Sequence, residues 1–223
     1  MAPITDPDEV SRRLAAESLA AGDPTGWFER LYVAAEQGDT VVPWDRGMPH
    51  RLLVEWVEAR GLTGGGRRAL VVGCGLGEDA EYIAGCGFRT VAFDVSATAI
   101  ETARTRFPGS AVEYLVADVL DPPTQWREAF DLVVESFTVQ ALPRRVRRQA
   151  TANVANLVGP GGTLIVICSV YDEDDGPDQG PPWRLTRAEI EAFAAGDLRP
   201  VRIEEIRDAG QPTVGRWRAE FRA

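Results

Sequence analysis

Three glycines at alternate positions, Gly73, Gly75 and Gly77, follow the apolar run Ala69 to Val72 and lead into an acidic, helix-compatible segment. Such a turn lets the backbone take positive φ and lets a ligand press against main chain where any Cβ would collide. At the carboxyl end of a first parallel strand, it is where open α/β sheets receive nucleotide-like ligands. Two acids sharpen the reading. Asp94 closes a second apolar run, Thr90 to Phe93, and lies 17 residues beyond Gly77, where a ribose-binding carboxylate is expected. Asp118 follows a third run, Ala111 to Ala117. Each acid could equally be a plain helix cap, and the glycines a plain turn; together on successive strands they point to one ligand in the crevice above a sheet.

The rest of the chemistry-bearing inventory is short. The single histidine, His50, leaves little room for a histidine-based triad or a multi-histidine metal site. All 24 basic residues are arginine, which removes Schiff-base chemistry, a pyridoxal-phosphate anchor and the phosphate-loop lysine. Cys74, Cys86 and Cys168 are not spaced as a zinc site and read as reduced thiols in or beside core elements. No metal is expected. Asp45 and His50 are the nearest candidates for a general base, each with an alternative as a turn or helix-start residue.

A net charge of −10 argues against a nucleic-acid groove. With no apolar run near 18 residues and no secretory leader pattern, the expectation is a cytoplasmic protein without a membrane span. At 223 residues the chain is one substantial domain with an appendage.

Helices of 10–15 residues alternate with short apolar strands, the pattern of a doubly wound parallel sheet. The amino-terminal part carries a helix over 8–21 and a second opened by Asp23-Pro24, bearing Trp27, Phe28, Leu31 and Tyr32. The segment 38–49 is too rich in glycine and proline for helix, and another helix runs from Pro49 to Gly61. Strand four is read as Phe130 to Glu135 and strand five as Gly162 to Val170, with Gly159-Pro-Gly-Gly ending the helix between them. A long polar loop, 171–183, precedes a helix opened by the capping box Thr186/Glu189. Two alternating strands, Val201 to Ile206 and Val214 to Phe221, finish the chain.

The Gly73-Cys-Gly-Leu-Gly turn with Asp94 and Asp118 resembles the class I S-adenosylmethionine-dependent methyltransferases over residues 68–223. The resemblance implies an α/β, Rossmann-like, doubly wound, seven-stranded, mostly parallel sheet with an antiparallel carboxyl-terminal strand and an amino-terminal helical lid. The implied division is a cap over residues 1–62 and a cofactor-binding domain over 63–223. Upstream, Pro43-Trp-Asp-Arg-Gly-Met-Pro is similar to a segment of the thiopurine, thiol and halide methyltransferase group, in which aromatic residues cover the cofactor. By position the cofactor roles fall on Trp27, Trp44, Gly73, Cys74, Gly75, Asp94, Val95, Asp118, Val119 and Glu135. The acceptor roles fall on Tyr32, Phe137, Gln140 and Trp183, with the loop 171–183 bordering the same cavity.

The implied activity is methyl transfer to a small-molecule acceptor, a thiol or another soft nucleophile. Two other functions use the same plan. A nicotinamide-dependent oxidoreductase needs glycine at the sixth position of its fingerprint, where Glu78 stands and would oppose a pyrophosphate. A cofactor-binding scaffold subunit would expose an apolar face on the first helix. The sequence is silent on oligomeric state.

Overall fold

The structure, a computed structural model, describes residues 6–171, 180–208 and 211–223. Among them seven strands form one sheet: β1 (Arg68–Val72), β2 (Arg89–Asp94), β3 (Glu113–Val116), β4 (Phe130–Ser136), β5 (Val158–Ser169), β6 (Arg199–Asp208) and β7 (Gln211–Arg222). Their order is β3-β2-β1-β4-β5-β7-β6. The first five pair in parallel, and β7 runs antiparallel to both β5 and β6. Chain order reverses between β1 and β4, so a topological switch point opens at the carboxyl ends of the central strands, beside the glycine turn.

Period-two alternation sends each strand's side chains into two apolar layers. Leu70 and Val72 face the layer completed by α6 (Arg144–Ala155) and α7 (Arg187–Glu191). Ala69 and Val71 face the other, where α3 (Arg51–Ala59), α4 (Glu78–Gly85) and α5 (Ala97–Arg106) pack. Leu52, Leu53, Trp56 and Val57 put the whole apolar side of α3 on this face of the sheet. The two remaining helices, α1 (Pro7–Ala20) and α2 (Gly26–Glu36), pair with each other through Val10, Leu14, Ala15, Trp27 and Leu31.

Several boundaries differ from expectation for local physical reasons. Gly159-Pro-Gly-Gly does not sit outside strand five. Val158 already pairs with Phe130, and the register then jumps to Leu132 opposite Thr163, so these residues bulge within the strand. A Cβ at Gly162 would stand 2.8 Å from the Phe130 carbonyl, which makes the bulge dependent on glycine there. On the sheet edge β3 spans only Glu113–Val116, shorter than the apolar run. Helix α2 starts at Gly26 with Thr25, not Asp23, at its N-cap; Asp23 lies two residues earlier and accepts the Thr25 and Gly26 amides at 3.0 and 2.8 Å. Most of the polar loop 171–183, residues 172–179, lies outside the described residues.

Candidate active site

The glycine turn joins β1 to α4 with φ of 57° at Gly73, 53° at Gly75 and 101° at Gly77. Gly73 and Gly77 are filled from behind, since a Cβ would collide with Thr138 at 2.3 Å and with the Tyr114 hydroxyl at 2.5 Å. Gly75 is different. Its nearest neighbours are the Tyr32 hydroxyl at 3.1 Å and the Trp44 ring at 3.7 Å, across a cavity of about 350 Å³ that the turn lines. The turn therefore presents bare backbone to an internal space.

Asp94 is buried at the end of β2 and accepts two amides at 3.0 Å, Gly75 on Oδ2 and Ser96 on Oδ1. The first bond ties the acid to the glycine turn. Burial raises its pKa to about 6 against the lowering pull of these hydrogen bonds. A carboxylate has lone pairs beyond those two bonds, so it retains capacity for further hydroxyl donors. Asp118 is half-buried and accepts the Leu120 amide at 2.8 Å. Val95, Val119, Phe93 and Ala117 line the cavity between the two acids.

The amino-terminal segment forms the opposite wall. Trp27 is fully buried, stacks on Phe28 at 4.0 Å and meets Trp44 edge-on at 6.1 Å. Trp44 donates its indole N–H to the Tyr32 hydroxyl at 2.9 Å. The Trp27 Nε1 is buried without a hydrogen-bond partner among the described residues, an orphan donor that a bound ligand would satisfy. This wall is fastened to the sheet domain by side chains that carry no signal in the sequence. Glu29 of α2 accepts the Ser96 and Thr98 hydroxyls at 2.5 and 2.7 Å and the Thr98 amide at 3.2 Å, at the amino terminus of α5.

At the end of β4 Phe137 takes φ of 62°, unusual for a bulky residue and found where surrounding structure over-determines it. Its ring lines the cavity and carries two cations, Arg46 and Arg216, each 5.6 Å from the centroid. The His50 ring stands 5.0 Å away. Gln140, buried on the same cavity, is held by accepting the Ser169 amide at 2.6 Å.

Both base candidates are engaged elsewhere. Asp45 pairs with Arg106 at 2.9 Å, which holds its carboxyl below the ordinary range. Through Nδ1, His50 accepts the Leu52 amide at 3.2 Å as the cap of α3. Burial, with Arg46, Arg216 and Arg51 nearby, pushes its pKa down to about 3, so the ring is neutral with its proton on Nε2.

Two further residues stand apart from the cavity lining. Glu135 is fully buried in the layer under the sheet, with Oε1 accepting the Val139 amide at 2.8 Å and Oε2 unpartnered among the described residues. Burial raises its pKa to about 7. Trp183 is packed with Val10, Leu14 and Trp27; its amide donates to the Gln140 carbonyl and its own carbonyl accepts from buried Arg147.

The bare glycine turn, the orphan indole donor and the carboxylate of Asp94 suit a nucleoside-type cofactor. Glu78, Asp79 and Glu81 crowd the first turn of α4, where a dinucleotide would need to place its pyrophosphate. On α1, Val10 and Leu14 are covered by α2, which leaves no exposed apolar stripe there of the kind a scaffold would dock through. Fold and cavity thus define an α/β enzyme of the nucleoside-cofactor kind.

Comparison with known proteins narrows this. A family model described as "Methyltransferase domain" matches residues 69–162. The chain is 29% identical to "Probable thiol methyltransferase 2" of Arabidopsis thaliana over 94% of this chain and 90% of that one. A protein solved in work on "Conversion of a Disulfide Bond into a Thioacetal Group during Echinomycin Biosynthesis" superposes with a TM-score of 0.69 at 28% identity, covering 87% and 92% of the two chains. The N-methyltransferase NodS of Bradyrhizobium japonicum, solved with S-adenosylhomocysteine, shares the fold with a TM-score of 0.62 at 22% identity over 77% and 83%. The matched domain and the methyltransferase relatives support a class I S-adenosylmethionine-dependent methyltransferase.

Proposed function

We propose that the methyl group goes to the sulfur of a small thiol. The observation that carries this reading is the Phe137 platform, where Arg46 and Arg216 surround one wall of the cavity with positive charge in a protein of net charge −10. Such a wall favours a sulfur that is, or becomes, anionic. The sulfur chemistry named for two similar proteins supports the same acceptor.

In this reading Gly73, Gly75, Cys74, Asp94, Val95, Asp118 and Val119 hold the cofactor, with Trp27 and Trp44 closing over it. S-Adenosylmethionine, when bound, supplies a sulfonium methyl whose leaving group is a neutral thioether that needs no acid. The chain positions the two partners and excludes water. Tyr32, Phe137 and Gln140 border the acceptor. The wall built by α1, α2 and the segment before α3 acts as a cover on the sheet domain. Trp183 supports Trp27 from behind, and Glu135 holds the turn after β4 through the Val139 amide. No helix among the described residues is long and apolar enough to cross a membrane. Three free cysteines are in keeping with a cytoplasmic setting.

The test is incubation of the purified protein with methyl-labelled cofactor and a panel of thiols, phenols, carboxylates and amines. Label on sulfur is expected. Transfer to oxygen or nitrogen acceptors alone overturns the reading.

A further inference from the structure

One more carboxylate lines the cavity, Asp79 in the first turn of α4, two residues past Gly77. The His50 amide donates to its Oδ1 at 2.7 Å, and the Ser136 side chain hydrogen-bonds to the same carboxyl. These bonds fix it where α4, the start of α3 and the end of β4 converge. Asp79 lies deep in the protein yet keeps accessible surface, which opens onto the cavity that Phe137, Arg46 and Arg216 also line.

The charged and titratable groups around it come from every neighbouring element. Glu78 is on its own helix, Arg46 and the neutral His50 are on the segment leading into α3, and Arg216 of β7 borders the same cavity. Burial raises the Asp79 pKa above that of an ordinary aspartate, while its hydrogen bonds and Arg46 pull the other way. The result is a carboxylate more basic than a solvated one. By contrast, Asp45 is neutralised by Arg106 and His50 spends its lone pair on the Leu52 amide.

We propose that Asp79 is the general base of this enzyme, taking the proton of a neutral thiol acceptor as its sulfur is methylated; the inference rests on the sulfur-acceptor reading. The S–H bond breaks with its proton passing to the Asp79 carboxylate, and a sulfur–carbon bond forms. The methyl carbon's previous bond breaks with its electron pair left on a neutral thioether. Asp79 then returns the proton to solvent. Ser136 and the His50 amide hold the carboxyl in place, and the arginines stabilise negative charge developing on sulfur.

The experiment uses Asp79→Asn, which is isosteric and keeps an oxygen for the His50 amide. Calorimetry is performed on protein saturated with S-adenosylhomocysteine, using a neutral alkyl thiol and, separately, thiocyanate. The variant should bind the thiol about tenfold more weakly, having lost the acceptor of its S–H, and bind thiocyanate more tightly, having lost a negative charge. Affinities for both that fall together indicate a structural role and overturn the proposal. A second arm needs no variant. For wild-type protein and a series of thiols of differing acidity, the acidic limb of kcat/KM against pH should stay fixed, because it reports Asp79. A limb that moves with each thiol's own pKa means the thiolate is drawn from solution, which overturns the base while leaving the sulfur reading intact. Failure of the wild type to methylate any thiol overturns both.

Discussion

Asp94 ties the glycine turn to the start of α5 in one side chain, since one oxygen holds the Gly75 amide and the other the Ser96 amide. Replacing it with alanine should weaken S-adenosylhomocysteine binding by about 1.5–3 kcal/mol, the scale of charge-assisted hydrogen bonds to hydroxyls. Calorimetry checks this; a loss confined to the acceptor's KM would assign the acid elsewhere. Its pKa of about 6 adds a direction. Ribose hydroxyls are donors and favour the ionised carboxylate, so wild-type affinity should fall as pH drops below about 6, and the Ala variant should lack that dependence. Asp94 is legible in the sequence because its position is set by strand end and spacing from a glycine turn. Arg46, Arg216 and Asp79 are not legible as a group. They come from a loop, the antiparallel last strand and the helix after the turn, and only tertiary folding brings them to one wall.

At the scale of elements, the amino-terminal wall is held by two small apolar clusters, Trp27 with Trp183 and Tyr32 with Leu76 and Ala99, and by a few polar fastenings. Glu29 reaches the start of α5, Asp45 reaches Arg106, and the His50 amide reaches Asp79. Segments joined in this way open at lower cost than the sheet, and a ligand that bridges both sides protects them. Hydrogen exchange over residues 20–50 should therefore slow when S-adenosylhomocysteine binds, and Glu29→Ala should speed it in the free protein. Equal exchange with and without ligand would make Trp27 and Trp44 permanent packing. Gly75→Val tests the turn itself. A branched side chain there would press on Tyr32 and Trp44 from the cavity side, at a residue with φ of 53°. Cofactor binding should be lost, while affinity within about threefold of wild type contradicts the assigned role of the turn. The helices and strands are readable from periodicity, caps and turn residues. The bulge in β5 is not, because Gly159-Pro-Gly-Gly carries the same signal whether it ends a helix or interrupts a strand.

For the molecule as a whole, the parallel sheet with an antiparallel strand follows from the alternation of elements, but the cost of burying acids in it does not. Glu135 has its pKa raised from 4.5 to about 7, so between those values the folded state binds more protons than the unfolded chain. Its contribution to stability is complete below pH 4.5 and is lost as pH rises through about 7. Glu135→Gln should flatten the fall in unfolding free energy across that window, by at most about 1.4 kcal/mol per pH unit for one group. Denaturant unfolding of both proteins from about pH 4.5 to about 7.5 checks the sign. Whether one cavity holds the cofactor against the glycine turn and a thiol against the Phe137 platform is decided by a crystal structure with S-adenosylhomocysteine and a thiol, located by sulfur anomalous scattering. The cofactor's ribose should lie on Asp94 and the thiol sulfur beside Phe137, within reach of Asp79, Arg46 and Arg216. A thiol sulfur bound outside that wall, or a ribose away from Asp94, would contradict it.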